Sequence, residues 1–263
     1  MNKQLFPITS FNRQIDEHLL NGGFPLRKLV EIYGIAASGK TQLCLQLCVN
    51  VQIPQCFGGV EGEVLFIETE NSFIPSRFVE IASHTIEEIK QLLIDKNIPI
   101  DLNSEQNFTC ETLMKHIYMK RCSNAKELYT IIVHKIEEFL KDYSQVKLII
   151  IDSIAFPFRY DYEDDNMEKI KMLLSISQKL KQIAFNHSLC VVVTNQITHD
   201  VEESKSKASL GPTWSHCSNV SILLEYDRNL NKRYISTTKN FHKKKKLEFE
   251  IDARGFRGKE KIV

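Results

Sequence analysis

Short apolar runs along the chain alternate with longer stretches in which apolar residues recur every three or four positions. The first pattern reads as buried strand and the second as amphipathic helix. Side chains alternate faces in a strand but return to one face about every 3.6 residues in a helix. Strands are predicted at residues 29–33, 64–67, 116–119, 147–151 and 189–194, and helices at 41–51, 75–94, 125–140 and about 165–185. The stretch 75–94 carries Phe78, Ile81, Ala82, Ile86, Ile89, Leu92 and Leu93 at helical spacing. The run at 147–151 is strongly apolar, as a parallel strand covered on both faces requires. Residues 220–226, 234–238 and 247–251 alternate more and follow one another without helices, which predicts edge or antiparallel strands. Residues 1–23 are polar and mixed, with Gly22-Gly23 marking a turn, and 97–110 read as a surface loop. This order predicts an α/β fold: a mostly parallel central sheet flanked by helices, with a C-terminal antiparallel extension.

Composition narrows the picture. A length of 263 residues suits one large α/β domain, and 43% hydrophobic residues suffice for an ordinary core. The net charge of +1 supplies no global field toward nucleic acid or membrane, so any such contact needs a local patch. No apolar run approaches the roughly 20 residues of a membrane helix. The seven cysteines lack CxxC spacing and no leader is apparent, which predicts reduced thiols in the cytosol or nucleus. Cys44 and Cys48, four apart on a helix, read as part of its buried face. The one low-complexity piece, Lys243 to Lys246, follows His242. It could be a nuclear signal, a DNA contact or the soluble tip of a hairpin, and the last is favoured slightly.

The chemistry concentrates in one octapeptide. Gly34-Ile35-Ala36-Ala37-Ser38-Gly39-Lys40-Thr41 fits GxxxxGK[ST] between a predicted strand and a predicted helix, the context such a loop needs. Its glycines let backbone N–H groups converge on one anion, and the helix N-terminus adds the positive end of its dipole. Lys40 is expected to reach the β- and γ-phosphates of a nucleotide, and the Thr41 hydroxyl to ligate Mg²⁺. The strand at 147–151 runs into Asp152, which can hold the same metal from the opposite side. Glu68 and Glu70 end the strand at 64–67. On spacing alone either could position the attacking water. Aromatics and a cation interleave at Phe156, Phe158, Arg159 and Tyr160, and Lys205 and Lys207 lie in a serine-rich stretch; both patterns suit single-stranded DNA. Packing of the phenylalanines on the sheet and solvation of the lysines are the competing readings. Asp161, Glu163, Asp164 and Asp165 oppose DNA locally and could instead favour the start of the next helix.

These pieces sit in a longer pattern. It includes Asn21-Gly22-Gly23-Phe24-Pro25, Thr41-Gln42-Leu43 and the stretch from Val51 to Gly59. It continues in Asp152-Ser153-Ile154-Ala155-Phe156-Pro157-Phe158-Arg159, Val193-Thr194-Asn195-Gln196 and Trp214-Ser215-His216. From about Ile15 to Phe256 the chain resembles the RecA/Rad family of strand-exchange ATPases, and within it the eukaryotic recombinase paralogues, nearest the group designated C. The resemblance implies a RecA-like core at 24–258, a linker remnant at 1–23 and a tail at 259–263. It implies ATP and Mg²⁺ as cofactors, with Gly34, Ala37, Ser38, Gly39, Lys40, Thr41 and Gln42 around the phosphates and Thr41 and Asp152 on the metal. It assigns Glu70 to the water, Arg77 to the adenine, and Gln196 to sensing the γ-phosphate and relaying it to DNA. Residues 156–165 and 197–213 match the two DNA-binding loops. The implied activity is a DNA-dependent ATPase within a recombination mediator complex. Its partners would be other recombinase paralogues in a hetero-oligomer and single-stranded DNA, with a nuclear and cytoplasmic location. Ala37 and Asn71 stand where the family usually has glycine, so binding with slow turnover is expected. The helical N-terminal domain and polymerisation linker of the family have no counterpart here, so long filaments of this chain alone are not expected.

Overall fold

A computed structural model describes residues 6–98, 107–161, 167–199, 206–239 and 245–259. Its centre is a sheet of parallel strands: β1 (Leu29–Gly34), β2 (Glu63–Glu68), β3 (Ile117–Arg121), β4 (Val146–Asp152), β5 (Cys190–His199) and β7 (Val220–Asp227). The order β3-β2-β4-β5-β1-β7 continues antiparallel through β8 (Lys232–Lys239), β9 (Lys246–Asp252) and β10 (Gly255–Gly258). The short β6 (Ser206–Ala208) pairs antiparallel with the end of β5.

Alternation along the strands explains the layers. Val30, Ile32, Val64, Phe66, Leu148, Ile150 and Val192 face one core, shared with helices α2 (Lys40–Asn50) and α3 (Pro75–Asp95). Leu65, Ile67, Ile149, Ile151, Val191 and Val193 face the other, under α5 (Ala125–Thr130), α6 (Ile136–Asp142) and α8 (Met167–Asn186). Each fully buried side chain of this size contributes about 1.5–3 kcal/mol. With both faces covered, the central strands are apolar almost throughout, so a polar residue inside one is an exception.

The structure adds detail to several expectations. The segment before β1 is packed: Ile8 bridges Phe24, and Ile15, Leu19 and Leu20 enter the same core as α2. The cause is local polar closure. Asn12 caps helix α1 (Arg13–His18) by accepting from Ile15 N at 2.9 Å, and Asp16 accepts from the Thr9 hydroxyl at 2.6 Å and Ser10 N at 2.9 Å. Helix α4 (Cys110–Lys115), too short for a periodic signal, begins at Thr109, whose side chain accepts from Thr112 N. The helix expected at 125–140 runs from Ala125 to Asp142 and carries a π-helical stretch at Ile131–Lys135. Residues 156–161, expected as DNA-binding loop, form helix α7 (Phe156–Asp161). Lys259 donates to Glu248 from its backbone N–H at 3.2 Å and from Nζ at 3.1 Å.

Candidate phosphate and metal site

Parallel packing points the carboxyl-terminal halves of five strands to one edge, where α/β sheets place their ligands. Gly34, the last residue of β1, stands in register with Gln196 of β5 and Leu224 of β7, and Glu68 with Asp152 of β4. The chain then curls from Gly34 into α2. A Cβ at Gly34 would lie 2.3 Å from Leu224 O and 2.6 Å from Ser38 Oγ, so only glycine fits. Gly39 adopts φ 108 and Ala37 φ 63, both left-handed. Ala37 therefore holds a conformation that glycine would adopt without a Cβ penalty.

Lys40 folds over this loop. Its Nζ donates to the carbonyls of Gly34 and Ile35, each at 2.9 Å. Burial pushes its ammonium below the usual lysine range, against the attraction of Asp152 and Glu70. The Thr41 hydroxyl donates to Asp152 Oδ2 at 2.8 Å, as does the Ser72 hydroxyl; Thr194 donates to Oδ1 at 2.5 Å. The sequence reading missed Ser72 and Thr194. Their only signal was a hydroxyl close to a strand tip. Ser38 Oγ is buried and has no hydrogen-bond partner among the described residues. A backbone curl, a lysine beside it, a threonine–aspartate oxygen pair and an orphaned hydroxyl fit a triphosphate and Mg²⁺. The donor set is hard oxygen, as that ion prefers.

The two glutamates separate. Glu68 is buried, accepting from Phe73 N at 2.8 Å and Arg121 Nε at 3.1 Å, so it closes the loop after β2. Glu70 is exposed on the Lys40 side. Its Oε1 accepts from the Ser153 hydroxyl and from Gln196 Nε2 at 3.4 Å, and Arg159 Nη2 donates to Gln196 Oε1. Asn71, at φ 51, takes the left-handed turn that asparagine tolerates. Glu70, Gln196 and Arg159 thus form one line from the loop toward α7, and Ser153, unassigned beforehand, starts it.

Arg77 lies near this edge in other company. Nε donates to Gln42 Oε1 at 2.8 Å, Nη2 to Asp252 O at 2.5 Å and Nη1 to Ala253 O at 3.1 Å, and it pairs with Glu80. It fastens α3 and the β9–β10 turn to the first turn of α2.

The expected DNA contacts fare unevenly. Phe158 is corrected: its ring has no exposed surface and sits in the core under α8, because α7 turns it inward. Arg159 is exposed. The side chains of Tyr160 and Lys207, and Lys205 with residues 200–204, lie outside the described residues, as do His242, Lys243 and Lys244. Lys246 pairs with Glu225 at 2.9 Å and lies 4.4 Å from the centre of the Tyr234 ring, at the start of β9 in a β8–β9 hairpin. Cys44 and Cys48 are buried, and no metal-binding cluster of His, Cys, Asp and Glu occurs among the described residues.

A family profile described as Rad51 matches residues 1–236. The chain belongs to the Rad51 family. Among Rad51-family relatives, it is 36% identical over 244 residues to the DNA repair protein RAD51 homolog 3 of Cricetulus griseus, covering 92% of this chain and 66% of that protein. It is 35% identical to the protein of the same name from Dictyostelium discoideum, over 82% of this chain and 56% of the relative. It is 30% identical to the DNA repair and recombination protein RadA of Aeropyrum pernix, over 86% and 65%. The chain thus spans less than two thirds of the length of these curated relatives. The Rad51-family match and the observed sheet agree on a RecA-like core with a C-terminal antiparallel stretch.

Proposed function

We propose that this chain binds ATP with Mg²⁺ at the loop from Gly34 to Thr41. We further propose that it acts in homologous recombination, as a subunit that assists a recombinase onto single-stranded DNA during double-strand break repair. The observation that carries the reading is the meeting of Lys40, Thr41 and Asp152 over one backbone curl at the tips of β1 and β4. In this reading Lys40 exchanges its two carbonyl acceptors for phosphate oxygens. Thr41 and Asp152 give up their mutual hydrogen bond to supply metal ligands. The ion's chemistry is to offset phosphate charge. Glu70, held by Ser153 and Gln196, orients the attacking water, and Gln196 links that position to Arg159. The names of the repair relatives support the recombination role, and other recombinase paralogues are the partners that role implies. A nuclear and cytoplasmic location follows from it. No helix among the described residues is long and apolar enough to cross a membrane.

Two observations favour a second reading, in which nucleotide stabilises a paralogue interface and turnover is incidental. Ala37 imposes strain where glycine would not, and Glu70 is already engaged by two neighbours. Calorimetry with Mg-ATP, followed by turnover with and without single-stranded DNA, tests both. The site reading requires binding that Lys40→Ala abolishes; binding unchanged in that variant sinks it. Turnover that DNA stimulates and Glu70→Gln removes favours the ATPase; complex formation that survives Glu70→Gln favours the scaffold.

A further inference from the structure

The loop between β2 and α3 carries Glu70 and is fastened on both sides of it. Thr69 N donates to Asp152 O at 3.0 Å. The Thr69 hydroxyl donates to Ser153 O at 3.0 Å and accepts from Ser153 N at 2.8 Å. Further on, Phe73 N donates to Glu68 Oε1, and the Phe73 ring packs on Phe66 and Phe78. These contacts anchor the loop without touching the Asp152 side chain. Ser72 is different: its hydroxyl reaches the Asp152 carboxylate itself, donating to Oδ2 at 2.8 Å.

Asp152 is only 4% exposed, and its carboxylate is held at both oxygens. Oδ1 accepts from Thr194 on the neighbouring strand β5, and Oδ2 accepts from Thr41 and from Ser72. A carboxylate oxygen has two lone pairs, so both directions at Oδ2 are in use. When Thr41 turns to a metal, one of them is freed. One donor then remains on each oxygen, Thr194 on Oδ1 and Ser72 on Oδ2. Donors on opposite oxygens set the plane of the group, whereas a single donor leaves it free to turn about its last, broad torsion. A fixed plane matters more for Mg²⁺, which demands near-ideal octahedral geometry, than for Ca²⁺, which accepts a flexible shell.

We propose that Ser72 is a positioning residue of the metal site: its hydroxyl fixes the plane of the Asp152 carboxylate and so favours Mg²⁺ over Ca²⁺. This rests on the ATP reading above. The hydroxyl arrives on the loop that bears Glu70, so one bond also ties the water-positioning residue to the metal-facing oxygen. Truncating Ser72 leaves the Thr69 and Phe73 anchors in place, and Thr194 still donates to the buried carboxylate.

The test uses the full chain and a non-hydrolysable ATP analogue. Calorimetry reads nucleotide binding while Mg²⁺ or, separately, Ca²⁺ is titrated, with chelator as the metal-free reference. Ser72→Ala is expected to need about tenfold more Mg²⁺ for half-maximal binding, the low end of what removing a partner of a metal-binding side chain costs. Its Ca²⁺ requirement should rise less, and its binding in chelator should equal the parent's. Ser72→Thr returns the hydroxyl and the parent's Mg²⁺ requirement. A merely structural role would weaken binding alike in Mg²⁺, Ca²⁺ and chelator. Should Ser72→Ala not fold, Ser72→Cys, similar in size and a weak donor, takes its place with the same expectations. Equal Mg²⁺ requirements in parent and variant, equal losses with the two ions, or a threonine variant as impaired as the alanine one, overturns the role of Ser72. A parent that binds no nucleotide, or binds it as well in chelator as in Mg²⁺, overturns the phosphate and metal reading instead.

Discussion

Replacing Phe158 with alanine separates two accounts of the segment after β4. If the ring stacks on a nucleobase, its loss weakens DNA binding and leaves stability unchanged. The structure puts the ring wholly inside the core formed with Ile151, Val193 and the inner face of α8. Removing a fully buried aromatic loses its transfer energy and leaves a cavity, together about 3–5 kcal/mol. For a chain of this length each kcal/mol moves the midpoint by about 2–4 °C, so Tm should fall by roughly 6–20 °C. The damage should also reach the site. Helix α7 carries Phe158 on one side and Arg159 on the other, and Arg159 donates to Gln196. Arg159→Ala is the control: an exposed side chain whose loss should cost under about 0.5 kcal/mol. Urea unfolding and calorimetry of both variants give the numbers. A Phe158→Ala protein as stable as the parent, with DNA affinity lost, would refute the burial argument and restore the stacking account.

Three further outcomes follow from named contacts. Arg257→Met should cost about 2–4 kcal/mol by urea unfolding, because it strands Gln46 Oε1 (2.7 Å from Nη1) inside the core and breaks the 3.1 Å pair with Glu88; a change under 0.5 kcal/mol by the same unfolding counts against that node. Ala37→Gly should stabilise the chain by up to about 1 kcal/mol and Ala37→Val destabilise it, since φ 63 penalises a Cβ and a branched one more; equal stabilities in denaturant would show that the left-handed loop is not what limits this position. Burial pushes the Glu31 carboxyl above the usual carboxylate range, opposed by its hydrogen bonds and by Lys239. The folded chain then keeps the proton to higher pH than the unfolded chain, so this group's contribution is fullest below the ordinary carboxylate pKa and is lost as pH rises through the raised one. Glu31→Gln should flatten that part of the Tm profile across mildly acidic pH, and a profile identical to the parent's argues against a raised pKa.

What could be read from the residues depended on how local the signal was. The strands at 29–33, 147–151 and 189–194 were visible because burial on both faces makes them mostly apolar; β1 and β4 coincide with the first two to within a residue, and β5 starts one residue into the third and runs on to His199. The phosphate loop was visible because its glycines, Lys40 and Thr41 are contiguous in sequence. Phe158 was not, since an aromatic beside an arginine suits a base or a core equally, and only the turn of α7 decides. Ser72, Ser153 and Thr194 were invisible for a related reason. They reach Asp152 and Glu70 from three segments distant in sequence, and a lone hydroxyl carries no pattern. Residues 8–20 were underestimated because their apolar positions are few and become core only through the Asn12 cap and the Asp16 bonds.

The buried acids of the central sheet among the described residues are Glu31, Glu68 and Asp152. Asp152, Gln196 and Glu68 lie at or near the carboxyl ends of their strands, where chain reversal opens space and ligands bind. Glu31 does not: it is buried within β1, between Val30 and Ile32, at a place where an apolar residue would avoid desolvation. A buried ionisable group is weak evidence for stability, since a well-packed hydrophobe often does as well. Its hydrogen-bond partners give it another use. They are the side chain beside Gln196, the indole beyond β6 and a hydroxyl on β7. An apolar residue at position 31 could fill the same volume, but it could not make the positions of Asn195 and Trp214 depend on one atom.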